Sequence, residues 1–194
     1  MALIGMQHVV AAKISSETAG TALTYAAGMV IGKAVSATLN WERNDNPLYA
    51  DDAMAENDNG ITGGTIELTV DDLADGAKEY LYGLSKTAAT DQPTVYHHGD
   101  AASPYVGVGF IRVRRKASVT KYEGYWIHKA QMAEDSESAQ TKGRSIEWQT
   151  PTLNGRIFGV QPDSSLKIMF YDHASFDTLS AAVTWLDGLA GVTP

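Results

Sequence analysis

The sequence predicts a mainly β fold: an antiparallel β-sandwich or partly closed barrel with a flanking α-helix, a long acidic loop and a C-terminal helix. Three observations predict it. Two segments alternate strictly, Ile66, Leu68 and Val70 against Thr65, Glu67 and Thr69, and Val35, Ala37, Leu39 and Trp41 against Ala34, Ser36, Thr38 and Asn40, the period-2 pattern of half-buried strands. Residues 105–155 read as three strands joined by a short turn and one polar loop, which is an antiparallel meander and not a βαβ unit. Helical spacing of apolar residues occurs in only two places. Seven or eight short strands and two helices are therefore expected, in one domain over residues 1–194, with no internal repeat and no linker to divide it.

In chain order, residues 9–14 read as a first strand, 15–20 as a turn and 26–30 as a weak edge strand, since Ala and Gly pack poorly in sheets. After the 34–41 strand, residues 42–60 look neither strand-like nor helical. They set Glu42, Asp45, Asp51, Asp52, Glu56 and Asp58 against the single base Arg43, around an apolar knot at Pro47, Leu48, Tyr49 and Ala50. Compact domains rarely keep a loop of this length unless it has a task. The 64–70 strand follows. Asp71 or Asp72 is then placed to cap a helix whose stripe is Leu73, Ala77, Tyr80, Leu81 and Leu84.

Residues 85–104 are a polar connection into the meander. In its second strand, Tyr125, Ile127, Lys129 and Gln131 are assigned one face and Trp126, His128 and Met132 the other. Its third strand is placed at 143–151, with Ile146 and Trp148 on one side and Ser145, Glu147 and Gln149 on the other. Residues 156–160 read as a further strand and 166–171 as another short apolar run. The C-terminal helical extension, 171–194, holds a helix over 175–189 with Phe176, Leu179, Val183 and Leu186 on one side.

With 44% hydrophobic and 20% charged residues, the composition is that of a soluble globular chain and not a disordered one. A net charge of -8 argues against a protein whose main task is to grip phosphates. The absence of cysteine excludes disulfides and thiolate zinc sites. Residues 1–14 lack the basic start of a signal peptide, and no apolar run approaches the ~20 residues needed to span a bilayer. A soluble, cytoplasmically made protein is expected.

No nucleophile elbow, P-loop, His-Glu-x-x-His or dinucleotide fingerprint occurs. Gly107 and Gly109 resemble half a glycine motif, but no helix opens after them, so close approach of a bulky neighbour is expected. His97, His98 and Asp100 lie in a polar stretch where adjacent histidines point apart, and a solvated turn is expected in place of a metal site. His128 reads as a sheet residue, and the carboxylates of 42–58 miss the EF-hand spacing. No catalytic residue, cofactor or metal is expected. The basic cluster Arg112, Arg114, Arg115, Lys116 and Lys121 lacks the interleaved aromatics of a nucleic-acid face. It reads as a hairpin tip or as the complement of an acidic surface on a neighbouring copy. Pairing of the acidic loop with that tip would be heterologous, the kind of contact that builds rings and stacks.

Five blocks also carry a resemblance: residues 48–52 (LYADD), 64–73 (GTIELTVDDL), 105–110 (YVGVGF), 124–129 (GYWIHK) and 141–155 (TKGRSIEWQTPTLNG), with 182–186 (AVTWL) near the C-terminal end. In these the chain is similar to the major tail tube protein of long, non-contractile-tailed bacteriophages. The resemblance implies a β-sandwich subunit, not an enzyme, that forms hexameric rings whose inner sheets join into a continuous barrel. Stacked rings would make a virion tail tube, assembled in the host cytoplasm, that conducts the genome without binding it specifically. Tape-measure and tail-terminator proteins are the further partners implied, with no membrane involved.

On that reading Glu67, Glu147 and Gln149 are expected to face the lumen. Pro47, Leu48, Tyr49, Asp51 and Asp52 are expected to contact the next ring, and Arg112, Arg114, Arg115 and Lys116 to supply complementary basic surface. The alternative is a β-sandwich module binding a ligand such as carbohydrate, which needs an exposed aromatic platform. Tyr125 and Trp126, on opposite faces of one strand, do not provide it.

Overall fold

The computed structural model describes residues 2–74, 76–87, 95–97, 102–133, 141, 150–162 and 167–192. The strands are β1 (Ala2–Ser16), β2 (Thr24–Tyr25), β3 (Met29–Gly32), β4 (Ala34–Arg43), β5 (Asn46–Ala50), β6 (Ala53–Asp58) and β7 (Ile61–Val70). Helix α1 (Ala77–Tyr82) follows, then β8 (Ser85–Thr87), β9 (Val95–His97), β10 (Tyr105–Lys116), β11 (Val119–Ala133), β12 (Thr152–Ile157), β13 (Tyr171–Phe176) and α2 (Leu179–Ala190). The fold is mainly β, as the alternation predicts.

One antiparallel sheet has the order β2-β1-β10-β11-β12-β7-β4, with β3 also on β1 and β13 also on β11. The sheet curls until its two ends meet through the chain. β3 lies on β1, and only Lys33 separates it from β4, which lies on β7 at the far end. At this corner Gly32 packs against the Asp72 carbonyl, leaving no room for a Cβ. Asp71 Oδ1 accepts from the Lys33 amide at 2.8 Å, and that hydrogen bond is the main reason its carboxyl is held below the usual carboxylate range.

The curl makes two layers. Between them lies the main core, with Val9, Ile31, Ile66, Leu68, Val106, Val108, Phe110, Ile127, Met132, Leu153 and Ile157, joined by Ala77 and Leu81 of α1. A second core lies on the outer face of β1, β10 and β11. There Val10, Ala12, Ile111 and Trp126 pack under Ala182, Leu186 and Ala190 of α2. These strands are buried on both faces, which explains their nearly unbroken apolar runs. Gly107 and Gly109 are where the Trp126 indole lies flat on the sheet: a Cβ at Gly109 would sit 2.8 Å from Trp126 and 2.5 Å from Leu186.

Several expectations are corrected. Residues 42–60 are not a loop: β4 runs on to Arg43, and β5 and β6 form a hairpin closed by Asp51 and Asp52, both at positive φ (51° and 58°). That is a type I′ turn, for which Asp is among the tolerated residues. Of the edge strand placed at 26–30 only Met29 and Val30 are strand, at the start of β3; residues 26–28 connect it to β2. β1 begins at Ala2 and keeps going to Ser16, through bulges at Ile4 and near His8 (φ 55°).

The 71–72 cap does not start a helix. Asp72 Oδ1 accepts from the Leu73 amide, and α1 begins only at Ala77 behind Gly76 in the left-handed region. In β11 the register against β10 slips between Val106 and Val108. The bulge moves Ile127, Ala130 and Met132 to the main core while Trp126 stays under α2, so Trp126 and Met132 do not share a face. The meander's third strand is β12, at Thr152–Ile157; the 143–149 segment placed there lies outside the described residues. Val160 forms a single bridge with Met169 and no longer strand. Finally, 171–176 is strand and not helix. α2 begins behind Thr178, whose Oγ1 accepts from the Ala181 amide at 3.3 Å, and ends at Gly191.

Candidate functional site

The chemistry-bearing residues gather on three surfaces. The first is the outer face of the layer built from β4, β7 and β12. The register sets Thr38 beside Glu67 beside Asn154, with Ser36, Thr69 and Thr152 on one flank and Asn40, Thr65 and Arg156 on the other. Their partners one position away, Ala37, Leu39, Ile66, Leu68 and Leu153, point into the core. Among the described residues no helix covers this face; α2 lies on the opposite layer. Arg156 reaches Glu42 at 3.5 Å, and Glu67 is exposed without a paired cation among the described residues. Toward the β11 edge the face dips into an open hollow of about 490 Å³ bordered by Glu42, Glu67, Gln131, Asn154 and Arg156. Of the three residues expected to line a lumen, Glu67 is therefore on this bare polar face. Glu147 and Gln149 lie outside the described residues.

The second surface is the β5–β6 hairpin. Its base is tied by Asn44 Nδ2 donating to Asp58 at 3.0 Å and Asn57 Nδ2 donating to Asp45 at 3.1 Å. Toward the tip Leu48 and Met54 are exposed, as are Pro47, Asp51, Asp52 and Glu56. No described cation pairs with the tip carboxylates. Pro47 sits in a strand whose partner is only β6, an edge where its missing N–H costs nothing.

The third surface is the far end of β1, β10 and β11, where β10 and β11 turn through Ala117 and Ser118, both at positive φ. Here the basic cluster divides. Arg112 and Arg114 are engaged within the chain: both donate to the buried Glu123 carboxylate, Arg112 at 3.3 Å. Arg112 also covers the Tyr125 ring, 4.1 Å from its centre. Burial opposes ionisation of Glu123, but the Arg114 hydrogen bond and the two guanidinium charges outweigh it and hold the carboxyl below its usual range. Lys121 pairs with Asp177. Arg115 and Lys116 are exposed and have no described partner.

Below this end, rings stack in a row from Phe110 through Tyr125 and Tyr171 to Trp41, at centre spacings of 5.5, 5.9 and 5.2 Å. Their faces are turned to one another, so the row offers ring edges and not the flat platform that a sugar stacks on. It braces β13 against β4, and sequence spacing could not have revealed it because its members come from four strands. Trp126 is on the other face of β11, under α2.

Among the described residues no group of three His, Cys, Asp or Glu side chains is placed to hold a metal. His97 is exposed, with its Nε2 3.1 Å from Thr87 Oγ1, and His98 and Asp100 lie outside the described residues. His128 is buried, 3.3 Å from Asp172, and its carbonyl accepts from the Tyr25 hydroxyl, whose pKa burial pushes up to about 12. No described helix is long and apolar enough to cross a membrane. No protein-family model matches the chain, and no curated protein matches it.

Proposed function

We propose that this chain is a structural subunit of a phage tail tube, assembling into stacked hexameric rings whose lumen conducts the genome. The observation that carries the reading is the asymmetry of the two layers. One outer face is sealed by α2. The other, from Ser36 and Thr38 across Thr65, Glu67 and Thr69 to Thr152 and Asn154, is a hydroxyl- and amide-rich sheet face with little positive charge. Such a face suits the wall of a water-filled channel, because it offers a passing duplex no cluster of cations to bind.

Two further features support it. Among the described strands β4 ends the hydrogen-bonded order of the sheet, and such an edge is where a neighbouring sheet continues to build a shared barrel. The exposed hairpin supplies the projecting contact element that a self-assembling ring requires. The ligand-binding alternative loses its platform, since the aromatic row is consumed in stacking. Light scattering and negative-stain microscopy of the purified chain test the proposal: rings or tubes with a central channel are expected. A monodisperse monomer at every concentration and ionic strength would overturn it.

A further inference from the structure

Five of the exposed large apolar side chains fall in two patches that also carry charge. Leu48 (58% exposed) and Met54 (59%) lie on the acidic hairpin. Leu3 (59%), Ile4 (56%) and Val119 (51%) lie at the end of the β1–β10–β11 arm, next to the two unpaired cations Arg115 and Lys116. Ala2 pairs with Arg115, Leu3 with Arg114 and Lys116 with Val119, so these residues form one tip. Each patch combines apolar groups with charge of one sign, and the signs are opposite. Within one chain the two do not neutralise each other: no ion pair links the tip carboxylates Asp51, Asp52 and Glu56 to any described base.

The register also fixes the side of the sheet from which each patch leaves. A transverse row of the sheet runs Gly64, Ile157, Ala130, Val106. From that row the hairpin extends beyond Ile61 and Arg43, and the arm extends along β11 toward Val119, to the same side. At about 3.3 Å per strand residue, both reach on the order of 30 Å beyond it. Two complementary patches at one end of a molecule meet when copies stand side by side in the same orientation. Copies stacked end to end would instead bring the patch-bearing end of one against the opposite end of the next. We infer that the acidic β5–β6 hairpin docks on the arm tip of the copy beside it, on Leu3, Ile4, Arg115, Lys116 and Val119, and so closes a ring.

This rests on the tail-tube reading and names the receiving surface for its hairpin. It also replaces the expectation, drawn from the sequence, that residues 47–52 contact the next ring. The contact is heterologous, with hairpin on one side and arm on the other, and repetition of such a contact around an axis gives a closed ring.

The chain has no native cysteine, which allows a direct test. A variant carrying both Asp52→Cys and Lys116→Cys, allowed to assemble and then oxidised, is expected to give a ladder of disulfide-linked species that stops at the ring number seen by microscopy. A ladder that continues past the ring number would mean contact between rings and would overturn the inference. So would the absence of cross-links in well-formed tubes together with wild-type ring formation by the charge-reversed variants below. A second pair of variants guards against a cysteine pair that is merely badly aimed. Arg115→Glu with Lys116→Glu, and separately Asp51→Lys with Asp52→Lys, should each reduce ring formation at least tenfold while keeping the native melting transition. Combining all four substitutions in one chain should restore it. If both reversed variants form rings as the wild type does, the docking inference fails and the tube reading stands. If the wild type itself forms neither rings nor tubes, the tube reading fails.

Discussion

Glu123 shows how a single side chain holds the arm together. Its carboxylate lies buried on β11 opposite Arg112 of β10, with Arg114 two pairs further on, on the same side of the strand. Hydrogen bonds to charged groups of this kind contribute about 1.5–3 kcal/mol each, reduced here by solvent screening because both guanidinium side chains are about one-third exposed. Glu123→Gln is therefore expected to lower stability by about 2 kcal/mol in urea unfolding. The pH dependence has a definite sign. The folded-state pKa is depressed, so the stabilisation is complete above the ordinary glutamate range and is lost as pH falls through that range and below it. The Gln variant should flatten that acid limb of the stability–pH curve; an unchanged limb would remove Glu123 as its cause.

Gly109 is the second informative residue. The space a side chain would need is filled by Trp126 and Leu186. Gly109→Val should cost about 1–3 kcal/mol by overpacking, and noticeably less in a Leu186→Ala background, where the site has been opened. A double-mutant cycle checks it; strict additivity would mean that α2 does not press on the sheet there.

At the scale of elements, α2 is the part whose burial sets the outer layer. Leu186 is fully buried with Ala182 and Ala190. Leu186→Asp removes the packing and places a charge beneath the helix, so a loss of at least ~3 kcal/mol is expected, read as a melting temperature lower by roughly 6–12 °C for a chain of this size. Normal melting would mean that the helix is dispensable to the fold.

How far such elements were legible depended on whether one physical pattern acted alone. β7 was readable because Ile66, Leu68 and Val70 face a core while Thr65 and Glu67 face water. The β5–β6 hairpin was not, since both of its faces are exposed and nothing forces alternation; its turn is also Asp-Asp where Asn-Gly would have announced it. The face assignment of β11 failed beyond His128 because a bulge is set by its partner strand and leaves no mark in composition. Asp71 and Asp72 misled for a related reason: their carboxylates cap the backbone of a corner, a role indistinguishable in sequence from a helix cap. Of the site, alternation put Glu67 on the polar side of β7, where it is exposed, and of the basic cluster Arg115 and Lys116 are exposed at the end of β10. The engagement of Arg112 and Arg114 with Glu123 was not visible, because the pairing crosses two strands.

At the scale of the whole molecule, α2 covers one layer and no described helix covers the other, and the tube proposal turns on which of them faces the axis. The direct measurement is a cryo-electron-microscopy map of the assembled wild-type chain. The account predicts that the β4–β7–β12 face lines the channel, with Glu67 on its inner wall and α2 on the outside. A map with α2 on the channel wall and Glu67 on the outer surface would contradict it.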